Sequence, residues 1–332
     1  MIGFCTSPDF LRHRTPLDHP ERPDRIRAIF QAVRAAGLVD SPDPLSNVSE
    51  DLGAFAPAGF KLRELQPAPA GLDSILAVHP QSHIDRVRDA CRNSIPLDGG
   101  ETPVCPESFD IALLSAGAIL TCCDAVVSGE VRRAFAAVRP PGHHAEPNIA
   151  MGFCLFSNIA IAARYLQRRH GVGKIAIVDF DVHHGNGTQA VFESDGSVMF
   201  ISLHQHPGTC YPGTGFEGET GSGPGSGLIV NIPMPPGSHD ADYMQEMDHN
   251  VLPHLDQFKP EFLLLSAGFD AHRDDPLASI CLTEDGFARI TQDLVAVANT
   301  YCHGRIVSAL EGGYHLRATT QSLVRHLIAM KD

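Results

Sequence analysis

The sequence predicts a single α/β domain over residues 1–332, a parallel β-sheet covered by helices on both faces. Two observations carry that prediction. Short apolar runs of strand length alternate with longer helix-like stretches along most of the chain. Five of those runs end in polar, glycine-flanked residues of the types that do chemistry. In an open parallel sheet the ligand site lies beyond the carboxyl ends of the strands, so residues at five such ends converge. A chain of 332 residues buries a large core, and no linker long enough to separate two domains interrupts it.

Taken in order, the first hundred residues are the least regular. A helix is expected over about 22–36, followed by a proline-rich connection around 42–69. Strands are expected at 134–138, 174–178, 198–203, 228–232, 261–265 and 305–310, each a short apolar run bounded by turn residues. Helices are expected at 109–128, 158–170, 241–258 and 284–301.

Composition narrows the partners. The chain carries 39 acidic and 25 basic side chains, a net charge of −14. That argues against a broad phosphate-contacting surface, and so against a nucleic-acid partner. It suits a cationic substrate through long-range attraction. Nine cysteines are scattered without metal-knuckle spacing, which points to reduced thiols and a cytoplasmic protein. The N-terminus has no signal-peptide pattern, and the longest uncharged stretch, 147–163, contains Pro, Gly, Ser and two Asn. No membrane partner is expected from it.

The densest motif is Asp179-Phe-Asp-Val-His-His-Gly-Asn-Gly-Thr188, directly after the apolar run 174–178. If the strand continues, Asp179, Asp181 and His183 share one face. Carboxylates and an imidazole so placed suit a divalent metal, zinc or another first-row ion. Asp270, which closes Ser266-Ala-Gly-Phe-Asp270, is the candidate third ligand beside Asp181 and His183. Three protein ligands leave the open position that a catalytic zinc needs.

Asp179 suits a different task, accepting the ring N–H of a neighbouring imidazole. The candidate is His143 of Arg139-Pro-Pro-Gly-His-His144, whose paired histidines suit proton transfer near neutral pH. Tyr314, in Glu311-Gly-Gly-Tyr-His315, offers a phenol to an oxyanion, and its glycines give the loop freedom to swing or approach closely. The glycine-rich segment 204–227 lacks a phosphate-binding fingerprint. It reads as a loop lining the site, with Tyr211 and the Gly152-Phe153 pair as aromatic walls.

These motifs, in this order, resemble the histone deacetylase family, including its bacterial members and the acetylpolyamine amidohydrolases. The resemblance runs from His19-Pro-Glu-Arg-Pro-Asp-Arg25 to Tyr314 and includes Met151-Gly-Phe-Cys154 and Asp275-Pro276. It implies the arginase/deacetylase fold, a single α/β domain with a central eight-stranded parallel sheet. It implies zinc, with iron as an alternative, on Asp181, His183 and Asp270. It further implies a proton-shuttling pair, His143 and His144, and a carbonyl-polarising Tyr314. Phe153 and Tyr211 would line the channel for an acylated amine. A structural potassium ion is implied near Asp179, Asp181, His183, Ser202 and Leu203, and a second cation near Phe192, Asp195 and Val198. Glu101 falls where many members carry an acidic rim residue, usually Asp. Asn186 stands where class I members carry Asp opposite the second histidine, and so resembles the class II branch.

The implied activity is removal of acetyl groups from lysine side chains in proteins or peptides, releasing acetate. The alternative is an acetylpolyamine or other small acetylated amine. A polyamine-selective relative carries Glu seven residues after the last zinc Asp; here that position is Leu277, which favours acyl-lysine. An arginase-like two-manganese enzyme and a non-catalytic acyl-lysine binder are the remaining readings, and a homo-oligomer is compatible with all of them.

Overall fold

A computed structural model of the chain describes residues 1–40 and 60–331. Among these residues the core is one sheet of eight strands. They are β1 (Ile2–Cys5), β2 (Leu62–Leu65), β3 (Arg133–Ala136), β4 (Ile175–Asp179), β5 (Val198–Gln205), β6 (Ile229–Met234), β7 (Phe262–Ala267) and β8 (Ile306–Leu310). Their spatial order is β2-β1-β3-β8-β7-β4-β5-β6, and every pairing is parallel.

The helices are α1 (Asp24–Ala35), α2 (Leu72–Ile75), α3 (Gln81–Asn93), α4 (Ser108–Val127), α5 (Asn158–His170), α6 (Asn186–Phe192), α7 (Asp240–Glu246), α8 (Leu252–Phe258), α9 (Glu284–Tyr301) and α10 (Leu316–Ala329). One layer is built around α4 and α5, the other around α1, α9 and α10. By length and composition α4 could cross a bilayer, yet here it is a core helix packed on β1, β3 and β8. A helix that is apolar all round needs burial on all sides, and α4 has it.

The order of the sheet explains why the site forms. β3, β8, β7, β4 and β5 are consecutive neighbours. Register places Ala136 beside Ala309, Ala267 beside Leu310, and Asp179 between Ser266 and Ser202. The five loops that leave these carboxyl ends therefore start side by side.

A buried ion pair holds one of them in place. Arg139, just after β3, donates from Nε and Nη2 to the two carboxylate oxygens of Glu21 at 2.6 and 2.7 Å. Its Nη1 donates to the carbonyls of Phe10 and His13.

Several sequence expectations need correction. β1 and β2 were not anticipated: β1 is only four residues long, and β2 is an edge strand, Leu-Arg-Glu-Leu, whose middle side chains are exposed. Charge at an edge discourages unwanted pairing and hides the strand's apolar signal. β2 falls inside the expected 42–69 connection, of which 42–59 lie outside the described residues. Helices α2, α3, α6 and α10 were also missed. The single helix expected over 241–258 is interrupted by a π turn at Met247–Val251, ahead of Pro253, which has no N–H to continue an α-helical ladder. His204 belongs to β5 rather than to the glycine-rich loop.

Candidate active site

The strand β4 ends at Asp179, so strict alternation does not bring Asp179, Asp181 and His183 together. Two successive side-chain-to-backbone turns do. Asp179 Oδ1 accepts the N–H of Asp181 at 3.1 Å, and Asp181 Oδ1 accepts that of His183 at 2.9 Å. Asp270 reaches across from the loop after β7, and its Oδ1 accepts the Val182 N–H at 2.9 Å.

Ligand atoms of Asp181, His183 and Asp270 lie within 4.8 Å of one another, in the one cluster of metal-binding geometry among the described residues. His183 Nδ1 is 3.0 Å from Asp181 Oδ1 and 3.2 Å from Asp270 Oδ2. Asp270 Oδ2 is buried with no hydrogen-bond partner. Two buried carboxylates and an imidazole converging on one point, with an unpaired oxygen among them, fit a divalent cation. Burial, and then the charge of Asp181, raise the pKa of Asp270, which is the strain such a cation would relieve.

Beside this cluster the rings of His143 and His144 touch, 4.0 Å between centroids, yet their surroundings differ. His143 Nδ1–H donates to Asp179 Oδ2 at 2.9 Å. Burial disfavours charge on this ring, but Asp181 and Asp179 outweigh it and lift its pKa to about 10. His144 has no carboxylate partner. Burial and the neighbouring His143 push it well below its ordinary value.

His144 Nδ1 is 2.8 Å from Asn186 Oδ1, and Asn186 Nδ2 donates to Glu146 Oε1 at 2.9 Å. Glu146 thereby fixes which way the amide points. The amide oxygen must accept from His144 Nδ1–H, which leaves His144 Nε2 as the ring's free lone pair.

Tyr314 follows Gly312 and Gly313 in the loop after β8. A β-carbon on Gly312 would collide with the carboxylate of Asp270, so only glycine lets the backbone pass so near the metal cluster. The loop does not swing freely. Gly312 N–H donates to Asp181 Oδ2 at 2.7 Å, Arg25 Nε donates to the Gly313 carbonyl at 2.7 Å, and Asp275 Oδ2 accepts the Tyr314 N–H at 2.7 Å. Burial, and then Asp270, hold the phenol well above its ordinary pKa, so it keeps the proton it would donate.

A channel of about 260 Å³ leads to these groups, lined by Asp98, Glu101, His144, Gly152, Phe153, His183, Tyr211, Leu277 and Tyr314. Every channel residue expected from sequence is on its wall. Tyr211 stands edge-on to His144, 5.0 Å between centroids, and Phe153 edge-on to Tyr314 at 6.0 Å. Gly152 and Phe153 both adopt left-handed backbone, φ 55° and 68°. Asp98 and Thr102 stabilise that conformation by accepting their N–H groups, each at 3.1 Å.

The alkali-cation expectations fare differently. Asp179 and Ser202 are register partners with Leu203 next along β5, so backbone from both strands gathers beside the Asp181 turn. At the second position Phe192 and Val198 are buried, but the Asp195 carboxylate is taken by Arg164 and Ser197.

The sequence matches the histone deacetylase domain family across residues 19–330. The chain belongs to the histone deacetylase family. It is 38% identical to a probable deacetylase of Archaeoglobus fulgidus, over 95% of this chain and 81% of that one. It is 41% identical to a histone deacetylase-like amidohydrolase of Pseudomonas aeruginosa, over 86% of this chain and 74% of that one. Its fold is similar to the crystal structure of the HDA15 HD domain, with a TM-score of 0.86 at 35% identity, covering 99% and 89% of the two chains. As a family member it is a deacetylase of the amidohydrolase type, acting on acetylated amines.

Sequence reasoning missed four residues of this deacetylase site or their roles. Asp98 rather than Glu101 is tied to the channel wall, through the Gly152 N–H, and its charge acts on the Tyr211 phenol. Its local signal is the Asp98-Gly99-Gly100 turn, three positions before Glu101. Glu146 had no signal, because only the fold brings it to Asn186. Glu311 and Asp275 were visible as motif members, but their tasks are contacts between loops.

Proposed function

We propose that this deacetylase is zinc-dependent and removes acetyl groups from lysine side chains in peptides or proteins. The observation that carries the reading is the opposite electrostatic setting of two touching imidazoles beside an Asp/His/Asp cluster. Bound by Asp181, His183 and Asp270, zinc would polarise the acyl carbonyl and acidify a water molecule; Fe²⁺ suits the same donors.

This chain's residues do the rest. His144 Nε2 accepts a proton from the attacking water. The Tyr314 phenol donates to the carbonyl oxygen as it gains negative charge, a contact typically worth about two to three powers of ten in rate. His144, now an imidazolium, returns the proton to the departing amine nitrogen, and acetate and free amine result. His143 stays charged throughout, held by Asp179, and acts through its field. Phe153 and Tyr211 orient a straight aliphatic chain between them. A potassium ion at the Asp179–His183 turn, held with Ser202 and Leu203, is proposed as a structural ion.

Leu277 at the channel mouth supports acyl-lysine, since a polyamine's second cation would meet an apolar side chain there. Asp98 and Glu101 on the same channel support a second reading, a small acetylated amine that carries another positive charge. Acetate release by zinc-loaded protein from an acetyl-lysine peptide and from N-acetylputrescine, run in parallel, separates the two. Turnover of the peptide alone supports the first reading and turnover of the polyamine alone the second. Turnover of neither, with zinc bound, rejects both acetyl substrates.

A further inference from the structure

From the contacts of Asp275 we infer that this residue is a positioning residue for the Tyr314 phenol, a role that rests on the function proposed above. Its side chain is buried and lies outside the metal cluster. Asp275 Oδ2 accepts two successive main-chain N–H groups, those of Tyr314 at 2.7 Å and His315 at 3.2 Å. Its Oδ1 accepts the N–H of Leu277 at 3.1 Å.

The need for such a clamp follows from the loop itself. Gly312 and Gly313 have no side chains to limit their dihedrals, and Gly313 sits at φ 118°, a region open to glycine almost alone. The close approach to Asp181 and Asp270 requires glycine at position 312, so local sequence cannot stiffen the segment. The aim of Tyr314 must be set by groups outside it. Arg25 fixes the carbonyls of Glu311 and Gly313, and Asp181 fixes the Gly312 amide. Asp275 alone among these holds the amide of Tyr314 itself, the last bond before its side chain. A small rotation there moves a phenol oxygen by an ångström or more, enough to lose most of an oxyanion contact.

The same carboxylate could instead act through Leu277, at the channel mouth, or as a general stabiliser. The three roles differ in kinetics. Acting through Tyr314 lowers kcat with KM little changed, because the phenol works on the transition state; acting through Leu277 raises KM. A general stabiliser lowers activity equally whether or not the phenol is present.

The test is a double-mutant cycle of Asp275→Ala and Tyr314→Phe in the zinc-loaded full chain, with metal content and thermal midpoint measured for each variant. Expected is a fall in kcat of about 10- to 100-fold for Asp275→Ala alone, with KM within about threefold and zinc retained. In the Tyr314→Phe background the further loss should shrink to about threefold or less. Equal losses in both backgrounds, or a loss expressed mainly in KM, would overturn the inference. Should the alanine variant not fold, Asp275→Asn is close in shape and keeps only one acceptor oxygen, and the same cycle is read with the same criterion. A Tyr314→Phe enzyme of full activity would reject the proposed role of the phenol itself, and so is distinct from failure of the clamp.

Discussion

Glu311, on the loop after β8, accepts the main-chain N–H of His143, on the loop after β3, at 3.1 Å. The same oxygen accepts the Gly142 N–H at 2.7 Å. The loop that carries Tyr314 thus holds the loop that carries the histidine pair. Glu311→Ala would leave both amides buried and unpaired, at a cost of about 1–3 kcal/mol each. Urea unfolding should show a destabilisation of that order, and acetate release should fall at least tenfold. Glu311→Gln retains one acceptor oxygen and should lose less on both counts.

The two imidazoles should respond differently to removal. His144→Ala takes away the free ring nitrogen and should cut deacetylation at least tenfold while zinc stays bound. Tyr314→Phe should do the same through the carbonyl oxygen. Near-normal turnover in either, with full metal content by atomic absorption, would remove that residue from the mechanism.

Metal binding should appear in stability as well as in activity. Adding Zn²⁺ to chelator-treated protein should raise the thermal midpoint, because the ion binds the folded cluster and not the scattered ligands of the unfolded chain. In Asp270→Ala that rise should largely vanish. An equal rise in both proteins would place the ion elsewhere.

Tyr211 adds a hydroxyl to the channel wall, within the field of Asp98. Burial, and then the charge of Asp98, raise its pKa above the ordinary phenol range, so it remains a donor. Tyr211→Phe should take that hydroxyl away from the neighbourhood of Asp98 while leaving the ring against His144. KM is expected to change by about two- to tenfold with kcat nearly constant, read from steady-state kinetics on one peptide.

Acid should weaken the fold in two windows. His326 is buried between Thr291 and Ser308, and burial lowers its pKa from 6.5 to about 3. Its contribution is complete above pH 6.5 and is lost as pH falls towards 3, by up to about 1.4 kcal/mol per pH unit, because the unfolded chain binds the proton first. Glu21 acts lower. Burial alone would raise its pKa, but Arg139 overrides this and brings it from 4.5 down to about 2. That contribution is complete above pH 4.5 and fades as pH falls through 2. His326→Gln should flatten the dependence of the urea midpoint on pH between 6.5 and 4. An unchanged slope would show that this ring does not control it.

Much of this protein is written in local patterns. The apolar runs that became β3 to β8 announced themselves, and the central ones had to, because strands buried on both faces must be apolar throughout. The residues proposed as metal ligands and proton carriers were legible too, since each follows such a run within a few positions. The glycine pair at 312–313 left swing and close approach open, and the structure shows close approach at 312. β2 was not, because an edge strand carries charge where a central one is apolar. The tertiary structure alone decided how the five loops meet. The order β3-β8-β7-β4-β5 cannot be read from any one segment, and it sets which carboxylate faces which imidazole. It put Glu146 on Asn186, Glu311 on the Gly142–His143 amides and Asp275 on Tyr314, and it brought the expected Asp179–His143 pair to 2.9 Å. Those pairings separate the two histidines and aim the phenol. They depend on distances between residues up to 169 positions apart, which local sequence does not encode.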